Sequence, residues 1–96
     1  MLSVTEQASR IIRELIGKAQ LPEGAGLRLA QRDHHAALAM TLCEQPATDD
    51  VVLLDQDVRV FLGPVAADRT QDQALDAEHT ETHTAFYLQG AAGTRW

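Results

Sequence analysis

Apolar and polar positions change period once along this chain, dividing it into a helical opening and a sheet-forming remainder. Ala8, Ile11, Ile12, Leu15 and Ile16 recur at helical spacing opposite Gln7, Arg10, Arg13, Glu14 and Gly17, which predicts one amphipathic helix. Ser3 with Glu6 three residues later, or Thr5, can cap its start. Its end is expected before Leu21-Pro22, because proline lacks an amide and biases its predecessor away from helical angles.

From Gly26 onward the period is 2. Leu27 and Leu29 alternate with Arg28 and Ala30, and Leu38, Met40 and Leu42 alternate with Ala39, Thr41 and Cys43, which predicts a hairpin turning through residues 31–35. Residues 45–50 form a polar break before the apolar run Val51 to Leu54. Asp55-Gln56-Asp57 then turns the chain into a half-buried strand from Val58 to Leu62. Pro64 is placed to open a short helix through Ala67. Residues 71–73 read as a polar connection, 75–79 and 83–88 as the last two strands, and 90–96 as a fraying tail after a single domain at 1–89. The expected class is α+β: mostly antiparallel or mixed strands, about six or seven in one sheet, under an amphipathic N-terminal helix with a small crossover helix.

Composition narrows the function. Fourteen acidic residues against eight basic ones give a net charge of −6, and the basic residues are scattered, so nucleic acid is not an expected partner. No stretch approaches the ~20 apolar residues of a membrane span, and the opening residues do not read as a secretory signal. A cytoplasmic location is expected, and the single cysteine suits a reducing compartment. Exposed strand edges make a homo-oligomer or another protein partner the expected company.

Four stretches resemble the HesB-like family of A-type iron-sulfur cluster assembly proteins: Leu2-Ser3-Val4-Thr5 leading into the helix, Gly26-Leu27-Arg28-Leu29, residues 51–62 running into Gly63-Pro64, and Leu75-Asp76 with Phe86. Their order spans residues 1–89. The resemblance implies the HesB-like domain and a role in cluster assembly. In that family, cluster ligands are a cysteine in the turn after the Gly-Leu-Arg-Leu strand and a Cys-Gly-Cys pair beyond the last strand. Here the turn carries His34-His35, residues 89–93 read Gln-Gly-Ala-Ala-Gly, and Cys43 lies about a strand's length past the first position. The expectation is therefore a non-catalytic binding or assembly module lacking the cysteine ligands.

The remaining chemistry rests on four histidines. His34 and His35, in the turn where the family places its first ligand, and His79 and His83, which a three-residue hairpin would set opposite each other near Glu81, are the candidate metal ligands. No catalytic residue and no particular cofactor is assigned. Cys43 is expected to pack as a small apolar group. Asp49, Asp50, Asp55 and Asp57 lack the glycine and distal glutamate of a calcium loop and read as solvated charge.

Overall fold

A computed structural model of the chain describes residues 2–31 and 38–90. Its first strand, β1 (Ser3–Val4), leads directly into α1 (Glu6–Lys18), and Thr5 between them is the N-cap, its side chain accepting from the amide of Ala8 at 3.1 Å. Ser3 is thus a strand residue and not the cap. A two-residue strand carries no periodic signal, so β1 exists only through its parallel pairing with a later strand. At the other end of α1, Gln20 takes a left-handed φ of 55°, and Leu21 N donates to Ile16 O while Gln20 N donates to Gly17 O. This pair of bonds closes the helix before Pro22 is reached.

Among the described residues, seven strands form two sheets instead of one. The larger sheet has the order β3-β2-β5-β4 and contains β2 (Gly26–Gln31), β3 (Leu38–Cys43), β4 (Val51–Asp55) and β5 (Val58–Leu62). The smaller has the order β1-β6-β7, with β6 (Gln73–His79) and β7 (Thr84–Gly90). β2–β3 and β4–β5 are the expected hairpins, and β2 and β5 lie parallel at the centre of the larger sheet. Gln56 and Asp57, at φ of 51° and 65°, make the two-residue β4–β5 turn with both residues left-handed, the handedness that matches strand twist. The crossover helix α2 (Pro64–Arg69) opens on its proline and carries the chain from β5 to β6.

The core lies where α1 meets both sheets. Ala8, Ile11 and Ile12 pack with Leu27, Leu29, Val60 and Leu62 from the larger sheet, Leu75 and Ala77 from β6, and Ala66 from α2. Alternation sends Arg28, Ala30 and Phe61 to the other face of the larger sheet. Phe61 is fully buried there, beside its register partner Arg28. The reason is topological: β3 and β4 are opposite edges of the sheet, so residues 44–50 must cross it, and the Arg28–Asp50 pair holds that crossing on Phe61's face.

Candidate functional site

The two sheets meet at a seam that is not closed. β3 is the edge of one sheet and β7 the edge of the other, and a cleft of about 430 Å³ opens between them, lined by Leu38, Met40, Arg69, Gln73, Tyr87 and Leu88. Leu38, Met40 and Leu88 are partly buried against the core, so the floor of the cleft is an extension of the hydrophobic interior. Arg69, at the last turn of α2, and Gln73, at the start of β6, bring polar groups to it, and Gln73 Nε2 donates to the Arg69 carbonyl at 3.2 Å. The cleft therefore lies between the start of β3, immediately after residues 32–37, and the end of β7, where Gly90 pairs with Gln73.

This end of the molecule is where the sequence resemblance places sulfur ligands, and the cysteine is elsewhere. Cys43 pairs with Gly26, whereas Leu38 pairs with Gln31 beside the turn. Five residues of strand put Cys43 about 17 Å from that end. It is half-buried, with its Sγ 3.7 Å from Thr41 Oγ1.

Arg28, two residues along β2 from Gly26, binds Asp50 bidentately through Nε at 2.8 Å and Nη2 at 2.9 Å. The Asp50 side chain has 0% exposure, so reading it as solvated charge is corrected. Its Oδ2 also accepts from the Ala47 amide at 2.9 Å, and Asp50 N returns a bond to the Ala47 carbonyl at 3.1 Å. The hydrogen bond from Arg28, aided by the one from Ala47, holds the Asp50 carboxyl below its ordinary pKa against the opposing effect of burial. The same hydrogen bond raises the guanidinium pKa. Asp55 is likewise committed: its Oδ2 accepts from Val4 N at 2.9 Å, joining β4 to β1.

His34 and His35 lie outside the described residues. His79 and His83 share one hairpin tip, but not the register a three-residue loop would give. The loop is Thr80 to His83, closed by Thr80 N donating to His83 O at 2.9 Å, and His79 pairs with Thr84. The threonines set this length, because the Thr80 hydroxyl also bonds the His83 amide at 3.2 Å. His79 Nδ1 bonds Thr84 Oγ1 at 2.7 Å, and His83 Nδ1 lies 3.2 Å from Thr82 Oγ1. The tip stands six residues along β6 from Gln73, about 20 Å from the cleft. Among the described residues no group of three or more His, Cys, Asp or Glu side chains gathers to hold a metal.

Sequence reasoning missed the part Asp76 plays. Thr5 Oγ1 donates to Asp76 Oδ1 at 2.7 Å while capping α1, and Tyr87 Oη and Gln89 Nε2 donate to Oδ2 at 3.2 and 3.1 Å. One carboxylate thus ties the start of α1 to both strands beside the cleft. The sequence pointed to Asp76 only through the Leu75-Asp76 resemblance and the capping threonine, neither of which names its partners.

No protein-family model matches the chain, and no curated protein matches it. Solved structures do. The crystal structure of Escherichia coli SufA, involved in biosynthesis of iron-sulfur clusters, superposes with a TM-score of 0.74 at 21% identity, covering 93% of this chain and 84% of that one. A crystal structure of IscA with the [2Fe-2S] cluster superposes with a TM-score of 0.65 at 13% identity, covering 100% of this chain and 96% of that one. The chain therefore has the α+β fold of these proteins, and the HesB-like fold expected from its sequence is the fold observed.

Proposed function

We propose that this protein is a HesB-like module of iron-sulfur cluster assembly that works without cysteine ligation, as a non-catalytic, cytoplasmic, self-associating binding protein. The shared fold supports the assembly role. The observation that carries the loss of ligation is the place of Cys43, at the opposite end of the β2–β3 hairpin from the turn. Iron in such clusters is held by thiolates, usually four, and one cysteine per chain supplies at most two to a homodimer. Anaerobic reconstitution with iron and sulfide, followed by optical spectroscopy, tests this reading. A stoichiometric cluster would overturn it.

The hairpin tip supports a second reading, a histidine-ligated metal site. A hydrogen bond at Nδ1, as both His79 and His83 make to threonine, orients an imidazole so that Nε2 is the ligating atom. His34 and His35 belong to the same reading as further donors.

A further inference from the structure

The cleft at the seam has the size and lining of a ligand site. Its volume falls within the range of about 300 to 1,000 Å³ typical of small-molecule pockets, and its lining divides into an apolar floor and a polar rim. Leu38, Met40 and Leu88 already pack on the core, so an apolar chain laid on them would extend the interior and cover surface that the protein leaves partly wet.

The charge at the rim selects the other end of the ligand. Arg69 is the charged residue of the lining, and a guanidinium offers five N–H donors in a planar fork, enough to take a carboxylate beside another partner. Gln73 is held against the Arg69 backbone and adds an amide at the same rim. Asp68 and Asp72 flank Arg69 in sequence, so only an anion seated directly on the guanidinium gains from it. Tyr87 completes that side, its hydroxyl directed to Asp76.

We propose that the seam cleft binds a small carboxylate bearing an apolar chain, with the chain on Leu38, Met40 and Leu88 and the carboxylate on Arg69. The inference rests on the cleft itself and stands whether or not the cluster-assembly reading does. It also makes the end of the fold that holds the cleft a site for an organic ligand.

Methionine provides the test, because the chain has two, and Met40 lines the cleft. With carbon-13-labelled methionine methyls, assigned with a Met40→Leu variant, titrating octanoate into the full-length protein should shift the Met40 signal to saturation. Octanamide, and octanoate with the Arg69→Gln variant, should each bind about tenfold more weakly or worse. Arg69 is exposed at the end of α2, so this variant keeps the fold. A Met40 signal that never moves would overturn the proposal. So would equal binding of acid and amide.

Discussion

Cys43 faces Gly26 across the β2–β3 hairpin, at the end far from the turn, and Gly26 in turn stands beside Arg59 of β5. That position separates the one thiol of the chain from the cleft and places it beside a tightly packed stretch of backbone. A methyl added at Gly26 would collide with the Arg59 carbonyl.

Gly26→Ala should therefore destabilise the protein by about 1 to 3 kcal/mol, the usual cost of overpacking, because the obstacle is backbone and cannot rotate away. Urea denaturation of the two proteins measures it. A difference of only a few tenths would show that β2 and β5 do not approach as closely as described.

The Arg28–Asp50 pair should be visible in the acid limb of stability. Asp50 has a lowered pKa in the folded protein, so its contribution is complete above the ordinary carboxylate value of about 3.9 and is lost as pH falls from there through the folded value. Asp50→Asn should cost about 1 to 3 kcal/mol near neutral pH, as for loss of a hydrogen bond to a charged group, and the cost should shrink as the wild-type carboxyl is protonated. Denaturant midpoints at a series of pH values test this. An unchanged difference between the proteins down to strongly acid pH would contradict it.

The histidine reading predicts zinc bound in stoichiometric amount by the native protein and lost when His79 and His83 are both changed to alanine. Metal analysis after dialysis against zinc decides, with a His34→Ala, His35→Ala double variant reporting on the other turn. Equal trace metal in all three proteins removes this reading.

Much of this was legible in the sequence where structure is local. The apolar face of α1, the alternation of β2 and β3, the Gln56-Asp57 turn and Pro64 each carry their own signal and lie where the pattern puts them. What was illegible depends on distant partners. β1 is a strand because Ser3 and Val4 meet Ala74 and Leu75, about seventy positions away. Gln73 looks like the end of a polar connection until Gly90 of β7 pairs with it. Division into two sheets follows from the same non-local pairing.

The candidate site shows the same limit. Asp50 reads as one more surface acid because Arg28 is 22 residues away, and only the strand order brings residues 44–50 across that face. The cleft has no motif at all: it is formed by Leu38, Met40 and Leu88 from two sheets whose edges fail to meet. His79 and His83 were placed on the correct hairpin, but their register was decided by hydroxyl bonds from Thr80 that alternation does not encode.

The central claim is that this fold persists here without sulfur ligation of a cluster. Its most direct test is anaerobic reconstitution of the wild-type protein and of Cys43→Ser with ferrous iron and sulfide, reading iron, sulfide and the visible spectrum after desalting. Neither protein should retain stoichiometric iron or sulfide or show charge-transfer bands. A cluster retained by the wild type in a fixed ratio to the chain, and lost in Cys43→Ser, would contradict it.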